Sequence, residues 1–341
     1  MRNLSVICCS LAVAVPCLFA QGPYKVQKTA KVGGTGGFDY VYADDAGRRL
    51  YIPRTGNPAR ITVFNLDTLE SMGEIASTNA RGAAVSAKSN HGFATSKPVT
   101  MWDAKTLMPI KTIEVQGGPD GILHDPFNDR IWVFSHSLPH ATVIEASDGT
   151  VVGTIDLGGA PEQAASDGKG HMYVDLEDKN MIAVVDAKAL KVTATYDLTG
   201  SGGTCAGLAM DVKNNILFAA CRNPQNMVIL NAADGKIITT LPIGQGVDGA
   251  AFNPNTMEAF SSQGDGTLTV IKENSPTSFV VEQTVQTMPS AKTMTLDKKT
   301  NRILLIAAEY GPPPATPPPG GRGPGRGPLL PDSFSIIVVG K

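Results

Sequence analysis

Apolar positions in this chain fall in short runs, not in helical stripes. "ITVFN" from Ile61, "RIWVF" from Arg130, "ILFAA" from Ile216 and "RILLI" from Arg302 are rich in β-branched and aromatic residues. Each is bounded by Asn, Asp, Gly or another polar turn residue, the pattern of a strand rather than a helix. The runs come in pairs around a polar turn, and the pairs recur.

The recurrence has a fixed frame. "DYVYADDAGRRLYIP" from Asp39, "DGILHDPFNDRIWVF" from Asp120 and "DGAAFNPNTMEAFSS" from Asp248 share a strand, an Asp or Asn five residues on, a turn and a second strand. The same frame begins at Arg81, Glu162, Ala206 and Lys292, so successive starts lie 42, 39, 42, 44, 42 and 44 residues apart. A third strand follows in every copy, from "ITVFNLDT" to "FSIIVVGK". A fourth follows in six, and the seventh copy ends at Lys341 without one. A spare strand, "YKVQKTAKVG" at Tyr24 to Gly33, precedes the first copy. A ring of sheets leaves no long free edge once closed. The pattern therefore predicts an all-β, seven-bladed β-propeller of four-stranded antiparallel blades, with the N-terminal strand completing the last blade. On that frame the segment Gly311–Ser333, with nine prolines and six glycines, is a loop inside blade seven and not a tail. Its composition predicts disorder, because it can bury too little apolar surface to offset the entropy of ordering.

Phrases such as "GKIITTLPIGQGVDGAAFNPNTMEAFSSQGDGTLTVI" resemble the YVTN-type propellers, exported bacterial seven-bladed proteins, over residues 24 to 341. The resemblance implies a binding scaffold, related in architecture to lactonases and quinoprotein dehydrogenases. Fold of this kind does not settle activity.

The first twenty residues, "MRNLSVICCSLAVAVPCLFA", have an early Arg, an apolar run and a small residue at Ala20. That is the form of a cleaved secretory signal, and it places the mature domain, 21–341, in the periplasm or outside the cell. The "AVP" before Cys17 fits a lipoprotein box poorly. No later apolar stretch reaches membrane-spanning length. Formal charge falls from −2 to about −3 without Arg2, so no global field recruits nucleic acid or anionic lipid.

Two cysteines remain after the signal. Cys205 opens the first strand of repeat five and Cys221 closes the second; pairing Met210 with Ile216 and Leu208 with Phe218 sets them opposite each other. Opposed antiparallel residues are close enough to bridge, and an oxidising compartment favours a disulfide.

First strands line a propeller's channel, so the frame turns Asp39, Arg81, Asp120, Glu162, Ala206, Asp248 and Lys292 into a ring at its mouth. Its ionisable members sum to a charge of −2. Such a ring is either self-neutralising structure or a binding site for a polar ligand; catalysis would need a carboxylate among Asp120, Glu162 and Asp248 with a displaced pKa. The second-to-third-strand loops, including "HSLPH" and "CRNPQN", crowd the same face. His136 and His140 are expected to be solvated there, and no metal site is expected from them. "GGTGGFDY" leads into a strand and so cannot cradle phosphate as a helix start would. Trp102 and Trp132 do not form the repeated pattern of quinone-cofactor propellers, and no cofactor is expected.

The expectation is a monomeric, non-catalytic binding propeller for a small polar ligand, a polymer or a protein. The alternative is a lactonase-like hydrolase or lyase using funnel carboxylates, with or without a divalent metal. Convergent carboxylates or histidines with displaced pKa values would favour the enzyme; a broad groove without them would favour the binder.

Overall fold

The computed structural model describes residues 22–76, 79–313 and 327–341. The signal segment 1–20 and residues 314–326 of the proline loop lie outside them. Among the described residues there are 28 strands and no helix, in seven four-stranded sheets. Six sheets take consecutive strands; the seventh runs Thr293–Asp297, Arg302–Ala307, Ser335–Gly340 and then the N-terminal Lys25–Lys31.

Burial explains the apolar pattern. The inner three strands of each blade are sandwiched between neighbouring blades, so both faces are apolar and the runs are continuous. Trp132, Phe134 and Val143 of blade three pack with Met172, Val174 and Val185 of blade four. Leu50 and Ile52 of blade one pack with Leu304, Ile306, Ile336 and Val338 of blade seven. Fourth strands lie outermost and are largely exposed, as in Pro109–Ile113 and Val151–Ile155. In "PIKTI" and "VVGTI" only the last residue, Ile113 and Ile155, is buried.

The turn before each second strand has one backbone demand. Arg48, Asn90, Asp129, Asn215, Met257 and Asn301 have φ between 53° and 59°, and Gly170, their counterpart in blade four, has φ of 119°. Asn, Asp and Gly tolerate this left-handed region readily; Arg48 and Met257 occupy it because the surrounding hairpin imposes it.

The seam closes as the repeat count requires. Lys25–Lys31 pairs antiparallel with Ser335–Gly340, matching Val26 with Val339 and Thr29 with Ile337. Tyr24 packs edge-on against Phe260 of blade six, 5.5 Å between ring centres. Its hydroxyl donates to Oε2 of the fully buried Glu258, and Lys341 Nζ lies 2.7 Å from Oε1 of the same carboxylate. Both chain ends are thus fastened to one buried acid.

The disulfide is present, but by a different register from the one expected. Met210 opposes Leu217 and Leu208 opposes Ala219, one residue off the predicted pairing. A bulge between Cys205 and Gly207 then returns Cys205 to a place opposite Cys221, and the two buried sulfurs are bonded. An extra residue in one strand displaces pairing by one on either side of it.

The stem of the proline loop is hydrogen-bonded chain. Tyr310 bridges Leu329, the Gly311 amide donates to the Pro328 carbonyl at 2.8 Å, and the Leu330 amide to the Glu309 carbonyl at 2.9 Å.

Candidate functional site

Bulges recur at the ring. The ladder shifts between Pro119 and Ile122, Pro161 and Ala164, Cys205 and Gly207, and Val247 and Gly249, so blades three to six each carry an extra residue there. The ring positions Asp120, Glu162, Ala206 and Asp248 lie on these bulges. A bulge frees a residue from the ladder and re-aims its side chain. Below the ring the channel is laced by Gln163, whose Oε1 accepts from the Leu208 amide at 2.9 Å and the Ala250 amide at 3.0 Å.

The predicted ring residues fall into two arcs. In the first, Arg81 Nη1 lies 3.8 Å from Asp39 Oδ2 and 3.2 Å from Asp120 Oδ1. Asp120 Oδ2 is 3.3 Å from His136 Nε2, which is 3.9 Å from Glu162 Oε1. The other Glu162 oxygen, Oε2, accepts from the Tyr40 hydroxyl at 2.9 Å. In the second arc Asp248 is gripped by both Arg222 and Lys292, and Arg222 Nη1 also lies 3.2 Å from Glu177 Oε2. Five of the six ionisable ring residues therefore pair with a permanent opposite charge at the mouth, Glu162 meets only the His136 imidazole and the Tyr40 hydroxyl, and Ala206 contributes bulge geometry without charge.

Four participants escaped the sequence frame. Tyr40 follows Asp39 directly; of the other three, His136 and Glu177 are the first residues after their second strands, and Arg222 is the last residue of its own. The signal was available, since each sits one residue beyond the strand position paired with the bulge. His136 is exposed, at 42 %, as expected of a solvated loop, and its imidazole also joins Asp120 and Glu162, which the expectation did not include. His140 does not converge with it; its Nδ1 is 2.8 Å from Asp156. Nor do the remaining histidines, for His91 bonds the Ala146 carbonyl, His124 pairs with Asp129 and His171 with Asp167.

Acid outweighs base at this mouth. Asp39, Asp120, Glu162, Glu177 and Asp248 face three permanent cations, Arg81, Arg222 and Lys292. Asp175, fully buried and acted on by Glu162, adds a sixth acid. Burial, then the charge of Glu177, pushes the Glu162 carboxyl up to about 8 against the hydrogen bond from Tyr40. Burial raises Asp39 to about 6, with Asp120 and Asp248 adding to the shift and Lys292 and Arg81 opposing it. Asp175 is raised well above the carboxylate range by burial and then by Glu162. Desolvation and like charge both disfavour the ionised acid.

The fold has clear structural relatives. A chain of the "Crystal Structure of Mitotic Checkpoint Complex" superposes with a TM-score of 0.71 at 13% identity, over 89% of this chain and 95% of that one. The chain in "Crystal structure of RRP9 WD40 repeats" superposes with a TM-score of 0.74 at 10% identity, over 94% and 99%. At such identity the likeness is one of fold alone. No family model and no curated protein sequence matches the chain.

Proposed function

We propose that this chain is an exported propeller of the YVTN type that binds a small polar ligand at the mouth of its channel. One observation carries the reading: bulges in blades three, four and six turn Asp120, Glu162 and Asp248 into a shared mouth whose acids exceed its bases. A ring serving structure alone would be expected to balance its charge, because unpaired buried charge costs stability. A ligand presenting hydroxyls, amides or positive charge suits the surplus. Export follows from the signal-like first twenty residues.

Catalysis is the second reading: the mouth meets the criterion set for an enzyme, convergent groups with displaced pKa values, and this reading stands second only because the same groups also suit a ligand and fold does not settle activity. Asp120, His136 and Glu162 converge, with Glu162 raised toward neutrality, which is the arrangement a general acid requires. A lactonase-like hydrolase or lyase would use these groups.

The test is thermal-shift screening of residues 21–341, in chelator, against neutral sugars, polyamines, lactones and single-stranded DNA, followed by proton-release assays on any lactone that binds. A shift with a polyol or polyamine, lost on combining Asp120→Ala with Asp248→Ala, supports the funnel. A shift that survives the double change moves the site elsewhere. Lactone hydrolysis lost in Glu162→Gln selects the enzyme.

A further inference from the structure

We infer that Asp120, His136 and Glu162 form a binding site for a single divalent transition-metal ion of the zinc class, with an open position toward the channel. The inference rests on reading the funnel as a ligand site and names what sits at its base.

The three side chains each offer one donor atom, and these atoms all lie within 4.8 Å of one another. A metal with bonds of about 2.1 Å in tetrahedral geometry holds its ligand atoms about 3.4 Å apart. Asp120 Oδ2 and His136 Nε2 are already 3.3 Å apart, and His136 Nε2 and Glu162 Oε1 are 3.9 Å apart. Little movement is needed to close on an ion.

The second oxygen of each carboxylate is held from outside the cluster. Arg81 engages Asp120 Oδ1 at 3.2 Å, leaving Oδ2 toward the imidazole. The Tyr40 hydroxyl engages Glu162 Oε2 at 2.9 Å, leaving Oε1 toward the imidazole. Outer partners of this kind fix the orientation of ligating groups.

A separate observation shows a local need for positive charge. Asp175, at 0 % exposure, lies in the strand His171–Leu176 across the bulge from Glu162, and neither of its oxygens has a hydrogen-bond partner among the described residues. A buried carboxyl in that condition beside a second one holds a proton and ionises only where a cation stands near. Arg81 is spent on Asp39 and Asp120, and Arg222 and Lys292 on Asp248 and Glu177, so the described cations lie on the other carboxylates.

Donor chemistry selects the ion. Two carboxylate oxygens and an imidazole suit zinc, manganese or cobalt. Calcium takes six to eight oxygens and magnesium an octahedral oxygen shell, which this cluster does not offer.

Residues 21–341, made without a histidine tag and stripped with chelator, would be titrated with Zn²⁺, Mn²⁺, Co²⁺ and Ca²⁺. The readouts are isothermal calorimetry, bound-metal analysis and the visible absorption of the Co²⁺ form. One Zn²⁺ per chain is expected, with Ca²⁺ at least tenfold weaker and Co²⁺ giving the intense bands of low coordination. His136→Ala should weaken Zn²⁺ at least tenfold, Tyr40→Phe should weaken it less, and His140→Ala should leave it unchanged. His136 is partly exposed, so its replacement leaves a folded chain, which thermal unfolding would verify. No Zn²⁺ uptake, equal affinity in His136→Ala, or stronger Ca²⁺ than Zn²⁺ overturns the site. Polar-ligand shifts measured in chelator would then stand or fall on their own, separating loss of the metal from loss of the funnel.

Discussion

The acid that fastens both chain ends offers a direct test of how the ring is held shut. Glu258 is fully buried, accepts from the Tyr24 hydroxyl and meets Lys341 Nζ at 2.7 Å. Changing Tyr24→Phe keeps the ring packed on Phe260 and removes only the donor. A hydrogen bond to a charged group contributes about 1.5–3 kcal/mol. In a domain of this size that is a fall of roughly 3–6 °C in Tm, at roughly 2 °C per kcal/mol. Lys341→Met should cost less, under about 1 kcal/mol, because its side chain is 45 % exposed and solvent screens the pair. The sign with pH follows from the carboxylate. Burial pushes Glu258 up, but the hydrogen bonds it accepts, from Lys341 and Tyr24 among them, outweigh this and hold it below its usual 4.5. Stability from a lowered acid is present above its unfolded value and is lost as pH falls through the folded one. The Tyr24→Phe penalty should therefore be full at pH 7 and shrink as the pH drops below 4.5. Thermal unfolding followed by circular dichroism from pH 3 to 8 measures both. A wild-type Tm for Tyr24→Phe at pH 7, a larger loss for Lys341→Met, or a penalty unchanged into acid would refute this account of the seam.

Three further outcomes are expected. Burial, foremost, raises Glu273 to about 7, and the native state keeps a proton that the unfolded chain releases from pH 4.5 upward. Glu273 should thus subtract from wild-type stability across pH 4.5–7, and Glu273→Gln should gain on wild type over that window, by up to about 3 kcal/mol at pH 8 in urea unfolding; a difference between the two proteins that stays constant with pH would count against it. Gly92→Ala places a Cβ 2.1 Å from Trp102 Cε2, so overpacking should cost about 1–3 kcal/mol and lower the urea midpoint; an unchanged midpoint would show that the indole can move aside. Reducing the Cys205–Cys221 bond, which spans 16 residues, should lower stability by about 3 kcal/mol, seen as a lower guanidinium midpoint in dithiothreitol than without it.

The blade count, the seam and the places of the ring residues were all readable in the chain because propeller repeats write the same strand pair at a nearly constant interval. Burial on both blade faces makes the inner strands apolar throughout, so "RIWVF" and "RILLI" announce themselves. What the chain concealed was local register. A strand alternates with period two, and a bulge adds one residue without changing composition, so nothing in "CAGLAM" shows that Gly207 and not Ala206 resumes the ladder. The cysteines were matched correctly by a pairing that was one residue wrong beyond them. His136 was hidden for a related reason: "HSLPH" reads as a polar loop, and only the bulge at Asp120 brings a carboxylate to 3.3 Å from its imidazole. Tyr40 and Glu177 fall outside the seven repeat-equivalent positions, and only the structure gathers them around Glu162.

Bulging and charge coincide around much of the ring, the exceptions being blade one, whose described ladder is unshifted beside Asp39, and blade five, bulged at the uncharged Ala206. Blades two and seven have unshifted ladders from Ala83 and Thr293 onward, and their ring positions are the cations Arg81 and Lys292. Blades three, four and six are bulged, and their ring positions are the acids Asp120, Glu162 and Asp248. A long cationic side chain reaches the mouth from a regular strand by its own length. The carboxylates of blades three, four and six are carried there on the extra residue, while Asp39 arrives from the segment before an unshifted ladder. Removing the bulges would leave the blades as well packed between their apolar faces while carrying the acids away from the mouth. In blades three, four and six the ladder bonds forgone are therefore better understood as the cost of placing an acid at the mouth, whereas in blade five the same bulge sets Cys205 opposite Cys221.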